Sequence, residues 1–261
     1  TFKILSRESG LSKDTLQRIF YEYFSRSPSV KIIKRTSVNL RMDATYFKRF
    51  CLVCYQDNED GYTQLIRFSN GEHYEEIKED LDNLLRLGIQ LESITTDGHK
   101  SILKAIKKSL PDVIVQRCLV HIQRMCLIWL TKYPKHSAGQ ELRRLVLMLL
   151  QIKTSNDQLS WKRALDEWQK RHKDYLNEKT FNSETGRYWY THKLLRRSHQ
   201  TIKRAMPNMF HYLSNPKIPA TTNGIEGYFS HLKNHLDIHR GLSLKHRIDF
   251  IKWYVFLSNK K

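Results

Sequence analysis

Acidic residues are scarce in this chain. Only 26 Asp and Glu stand against 45 Lys and Arg over 261 residues, a formal charge of +19. A balance that positive points to a polyanionic partner, either a phosphate backbone or an anionic membrane surface. Long apolar runs are lacking too. The richest, LVLMLL at residues 145–150, falls far short of the roughly 20 residues a spanning helix needs, so nucleic acid is the expected partner and membrane is not. Cysteine is sparse, with four in all, which is no disulfide framework. Cys51 and Cys54 form a CxxC that admits a zinc reading. The text RFCLVCYQ reads as a strand, however, and odd spacing on a strand sends two side chains to opposite faces. No second CxxC follows at ribbon spacing. Buried, reduced thiols are therefore expected, and no zinc. Internal repeats and low-complexity tracts are also missing. The apolar fraction of 40% is ordinary and supplies a real core, in one large domain or two to three small ones.

Periodicity divides what is present. Residues 1–36 read as a helix-turn-helix and linker, with Gly10 at the turn, Ser12 capping the second helix, and Leu16, Ile19, Phe20 and Phe24 at core spacing. The exposed residues of that second helix, Lys13, Gln17 and Arg18 among them, are candidates to read DNA; the alternative is an ordinary helical hairpin. From residue 37 the period falls to two. VNLRMDATYF, KRFCLVCYQD and YTQLIRFS are strand candidates, followed by a helix over 73–87, the strand IQLESITT, a helix ended by Pro111, and the short strand DVIVQ. The order βββαβαβ is that of the ribonuclease H-like fold, in which the first and fourth strands lie side by side. Residues 37–117 are the first part of that core. Residues 118–219 show no strand-like alternation and read as an all-helical insertion. Residues 220–261 give two last helices that complete the core.

Three acids sit at ordered positions in this basic background. Asp43 lies within the first strand, opposite in phase to Val38, Leu40, Met42 and Ala44. A carboxylate there is costly unless it is paired or holds a cation. Asp97 ends the fourth strand, where sites form in open α/β sheets, with Gly98 leaving room beside it; its alternative is capping of the helix that follows. Glu226 fits a capping box with Asn223 as N-cap. It also sits at the rim of the face defined by Ile225, Phe229, Leu232 and Leu236, within reach of a site on the sheet. Three converging carboxylates suit Mg²⁺ or Mn²⁺, and a pair of such ions suits in-line chemistry on a phosphodiester.

At these residues the chain resembles a known group. "MDATYF", "TTDGHKSI", "QRCLVHIQR" and "TTNGIEGYFSHLK", in that order, are similar to the signature blocks of the DDE transposases of bacterial insertion sequences, mutator-like superfamily. The resemblance spans about residues 36–257. It implies a ribonuclease H-like core interrupted by a helical insertion, with Asp43, Asp97 and Glu226 as the catalytic, metal-holding triad. It also implies a Cys-x-x-His pair, Cys118 and His121, which share a helical face and suit a structural or DNA-positioning role. A bacterial cytoplasmic, nucleoid-associated location follows, with double-stranded DNA as partner and a homodimer or larger synaptic assembly. The expected function is metal-dependent cleavage at terminal inverted repeats and 3′-hydroxyl strand transfer. The rivals are a ribonuclease H-like nuclease or resolvase without strand transfer, and a domesticated transposase acting as a DNA-binding regulator.

One more gap in acid content bears on DNA. From Thr185 to Ile225 there is no Asp or Glu, while Arg196, Arg197, Lys203 and Arg204 crowd one predicted helix. A generic solvated face would mix signs, so these four are candidates to clamp a DNA backbone. Trp189, inside the basic RYWYTHK, is a candidate to stack on a flipped base, with burial in the core as the alternative.

Overall fold

Alternation builds the central sheet. In the computed structural model, which describes residues 2–34, 36–239 and 241–260, strands β1 (Val38–Tyr46), β2 (Cys51–Asp57), β3 (Thr63–Ser69), β4 (Leu91–Thr96) and β5 (Ile114–Arg117) form a mixed five-stranded sheet in the order β3-β2-β1-β4-β5. β1 runs antiparallel to β2 and parallel to β4, with Met42 opposite Thr96. The first and fourth strands are neighbours, as expected, so residues at their carboxyl ends are brought side by side.

Each face of the sheet carries helices. Val38, Leu40 and Met42 pack with Ile77, Leu81 and Leu84 of α3 (Tyr74–Arg86) and with Ile102 and Ile106 of α4 (Lys100–Ser109). The other face packs Leu52 and Cys54 against Ile225, Phe229 and Leu232 of α10 (Asn223–Ile238) and against Ile251 and Val255 of α11 (Leu244–Ser258). β2 is buried on both faces. Cys51 joins the first core and Cys54 the second, as period two requires, and the CxxC is therefore not a chelate.

Between β5 and α10 the chain makes a helical body with its own core. It comprises α5 (Leu119–Leu130), α6 (Ser137–Met148), α7 (Ser155–Arg171), the short α8 (Lys173–Asn177) and α9 (Lys193–Ala205). Trp161 and Trp168 are buried here, and each indole N–H donates to a backbone carbonyl, Leu145 at 2.8 Å and Ala138 at 2.9 Å. The expectation of an all-helical segment needs one correction. β6 (Lys179–Asn182) and β7 (Arg187–Tyr190) form an antiparallel hairpin. Its strands are four residues each and mostly exposed. No buried face imposes an alternating pattern on them, so period two has nothing to register.

At the amino end, α1 (Phe2–Ser9) and α2 (Lys13–Phe24) form the expected helical pair. Gly10 turns at φ +70°, and Ser12 Oγ accepts from Thr15 N–H at 3.1 Å. Thr1 and Arg35 of this segment lie outside the described residues. The expected core of the pair is only partly realised. Phe24 is buried, while Ile19 and Phe20 are 39% and 45% exposed. α2 packs against α11 and against α1, a short helix none of whose described residues is buried, so much of its apolar surface stays open. Trp253 Nε1 donates to the Phe24 carbonyl, Ser27 Oγ to Asp249, and Tyr21 stacks on His246.

Candidate active site

The site lies where β1, β4, α5 and α10 meet. Asp43 sits on the β1 face away from Val38, Leu40 and Met42, only 7% exposed. Its one hydrogen bond to a described residue is from the Ala44 N–H. Burial pushes its carboxyl up to about 6. His121 and the Ala44 N–H pull it back, and the charges of Asp97 and Glu226 raise it again.

Glu226 is delivered by the return from the helical body. The Thr95 hydroxyl donates to the Pro219 carbonyl at 2.9 Å, Leu119 N–H to Ala220 at 3.0 Å, and Gln116 to Met209 at 2.9 Å. These bonds pin residues 209–220 across the ends of β4 and β5, so α10 must start over the sheet. The capping-box alternative for Glu226 fails. Thr222, not Asn223, precedes the helix, and its N–H and hydroxyl both donate to Cys118 Sγ, at 3.3 and 3.4 Å. Glu226 does not reach back to the cap. Its Oε2 takes Arg124 at 3.0 Å, and its Oε1 is buried without a hydrogen-bond partner among the described residues, 3.7 Å from His121 Nε2.

Asp43, His121 and Glu226 each present a ligand atom, and all three atoms lie within 4.8 Å of one another. Asp97 is outside that tight group, although its charge reaches Asp43. Its Oδ1 accepts from His99 N–H at 2.8 Å, which shapes the loop ahead of α4. The space expected beside Gly98 is taken. Gly98 has φ +83°, and a Cβ there would strike the Arg117 guanidinium, which donates to the Asp97 carbonyl at 2.9 Å.

The role expected of His121 is structural or DNA-positioning. The structure puts it among the carboxylates. Burial works against its charge, but Cys118, Asp43 and Asp97 outweigh this and hold the imidazole up at about 9. Burial opposes ionisation of Cys118, but the bonds from His121 and Thr222 prevail and lower its thiol below the ordinary range. Arg124, Arg117 and Glu72 were missed. Cys118, His121 and Arg124 recur at a spacing of three, which was a readable stripe. Glu72 gave no signal. It sits in the turn before α3, where the Tyr46 hydroxyl donates to it at 3.0 Å; burial and then Asp97 raise its carboxyl.

Residues 24–213 match the family described as "Transposase, Mutator family". The chain belongs to this family of transposases. The matched span contains Asp43, Asp97, Cys118 and His121 and ends before Glu226. No curated protein matches the chain. Among solved structures, it is similar to the HTLV-2 integrase catalytic core domain in complex with magnesium. The dimeric form shows 17% identity and a TM-score of 0.26, covering 62% of this chain and 99% of that one. The trimeric form shows 17% identity and a TM-score of 0.25, covering 60% and 95%. Superpositions that loose fix neither fold nor function. No helix among the described residues is long and apolar enough to cross a membrane.

The cations expected to meet DNA in this transposase fall into separate groups. Lys13 and Arg18 are exposed on α2, and Gln17 is half-buried. On α9, Arg197 lies over the Trp129 ring and Arg196 over the Tyr190 ring, at 4.5 and 3.8 Å. Lys203 and Arg204 are exposed, each about two turns further along the helix. Trp189 is on the hairpin and 45% exposed, so its burial alternative falls.

Proposed function

We propose that this transposase cleaves DNA at the terminal inverted repeats of its element and joins the freed 3′-hydroxyl to target DNA. On this reading the fold is a ribonuclease H-like core with a helical insertion between Asp97 and Glu226 and a DNA-reading helix-turn-helix at the amino end. The observation that carries it is the meeting of Asp43 and Glu226, from a strand and a distant helix, in a group whose ligand atoms lie within 4.8 Å, inside a chain of charge +19.

The residues present fit a hard divalent cation. Among the described residues, Glu226 Oε1 is buried without a hydrogen-bond partner, and the nearly buried Asp43 carboxylate has a single N–H donor. Such oxygens match Mg²⁺ or Mn²⁺, which also keep waters and substrate phosphates as ligands. Asp43, Asp97 and Glu226 would hold two ions, which when bound would activate the attacking oxygen and stabilise the leaving one. The chain's own contribution is positioning. Thr222 and Cys118 fix the start of α10, Arg124 orients Glu226, and Arg117 fixes the Asp97 loop. The cationic Arg124 and His121 offset carboxylate repulsion. Phosphate contacts from α9 and base contacts from α2 would set register on the duplex. A homodimer or larger assembly would pair the two ends.

The test is direct. Labelled DNA carrying the element's ends is incubated with the protein and Mg²⁺, and products are resolved by size. Nicked and strand-transfer products are expected. Nicking without transfer would favour a nuclease, and binding without either would favour a regulator.

A further inference from the structure

The helical body holds a polar cavity remote in sequence from the carboxylates. It has a volume of about 190 Å³ and lies between α7, α8 and α9. Lys173, Arg196 and Lys203 line it, with Gln169, His199 and Gln200, and no carboxylate does. On α9, Arg196, His199, Gln200 and Lys203 fall at spacings of three, four and seven, which is one stripe of the helix. Among the described residues no carboxylate pairs with the three cations. Arg196 donates instead to the neutral Asn177 Oδ1 at 2.9 Å and to the Leu176 carbonyl at 3.4 Å.

His199 sits against this cationic space. It is 7% exposed, its ring lies 5.2 Å from that of Trp168, and its nitrogens have no hydrogen-bond partner among the described residues. A set of like charges facing common space is costly. One ligand offsets it: an anion with several acceptor oxygens, which takes ammonium and guanidinium donors and can also accept from the imidazole.

We propose that this cavity binds one phosphate group of the DNA backbone, with Lys173, Arg196 and Lys203 as charged donors and His199 as an N–H donor at its wall. The proposal rests on the DNA-transposase reading for the source of the phosphate. The electrostatics agree. Burial holds the His199 imidazole down at about 4, Lys203 and Arg196 push the same way, and Asp166 alone opposes them. Lys173 faces the same space from α8. A bound phosphate would offset the cations and favour the protonated ring.

The experiment follows the His199 ring C–H resonance in the full chain, identified by its loss in His199→Gln. Short duplex DNA and inorganic phosphate are added in separate arms. Both are expected to shift the resonance and to move its titration midpoint upward from about 4. A duplex that binds, as shown by sedimentation, yet leaves the resonance unmoved would overturn the proposal. Movement with inorganic phosphate alone would assign the cavity to a free anion and overturn the backbone source. In parallel, Lys173→Gln with Lys203→Gln should flatten the slope of log affinity against log salt by roughly 0.9, the value of one phosphate contact, equally on any sequence. An unchanged slope in a variant with wild-type circular dichroism also counts against it. Nicking by the wild-type chain is scored separately. Its presence with an unmoved His199 sinks only this site, and its absence with a shifted His199 sinks only the transposase reading.

Discussion

Replacing Gly98 by Ala should expose how the Asp97 loop is held. Two penalties meet at this glycine. The φ of +83° costs an L-residue roughly 1–2 kcal/mol. A Cβ would also displace the Arg117 guanidinium and its bond to the Asp97 carbonyl at 2.9 Å. A charge-assisted hydrogen bond is worth about 1.5–3 kcal/mol. Part of that returns, because burial pulls the Arg117 guanidinium below its ordinary value and release relieves this. The expected total is roughly 2–3 kcal/mol. Gly88 provides the control. Its φ is +88°, and a Cβ there meets only the flexible Lys34 stem at ordinary contact distance, so Gly88→Ala should cost the backbone strain alone, roughly 1–2 kcal/mol. The assay is urea unfolding followed by tryptophan fluorescence, run as a double-mutant cycle. In an Arg117→Ala background Gly98→Ala should fall to the cost of Gly88→Ala, because the collision is gone. Equal cost with and without Arg117 would refute the reasoning.

Asp43→Asn should stabilise the metal-free protein at neutral pH. The folded carboxyl is raised from 3.8 to about 6, so the folded state holds its proton more tightly. Stability from that proton is complete below 3.8 and is lost as pH rises through about 6, a loss of roughly 3 kcal/mol. Unfolding curves of the two proteins should therefore diverge across that window, and parallel curves would remove Asp43 from the buried site. Asp43→Asn, Asp97→Asn and Glu226→Gln should each abolish nicking in Mg²⁺ while leaving mobility shifts on element ends intact, with losses that do not add; a variant that still nicks at the wild-type rate is not part of the site. Gln17→Ala and Arg18→Ala should narrow the preference for element ends over random duplex in competition binding, and unchanged discrimination would remove α2 as the reader. Trp168→Ala should cost about 3–5 kcal/mol by urea unfolding, because it empties a fully buried site and removes the indole's bond to the Ala138 carbonyl; a loss under about 1 kcal/mol would mean that the helical body does not unfold with the rest.

The sequence determined the sheet and its helices. Val38, Leu40, Met42 and Ala44 alternate because one face of β1 is buried, and that burial is written into the residue types. The same logic placed Cys51 and Cys54 on opposite faces, and the lack of strand-like alternation after residue 117 marked the segments of α5, α7 and α9 as helical. It also named Asp43 and Glu226, because an acid in such surroundings contradicts its neighbours. The hairpin at Lys179–Tyr190 escaped because exposed strands leave no pattern. Tertiary structure alone decided the rest. Whether Glu226 caps its helix or faces the sheet depends on Thr222 being claimed by Cys118, 104 residues away in sequence. The room beside Gly98 depends on Arg117 filling it from the neighbouring strand. His121 joins the carboxylates because residues 209–220 are tied across β4 and β5, and Lys173 meets Arg196 and Lys203 because α8 folds back on α9. Local pattern reports which side of an element is buried. It carries no record of which distant side chain arrives there, since that is set by contacts that form only when the whole chain has packed.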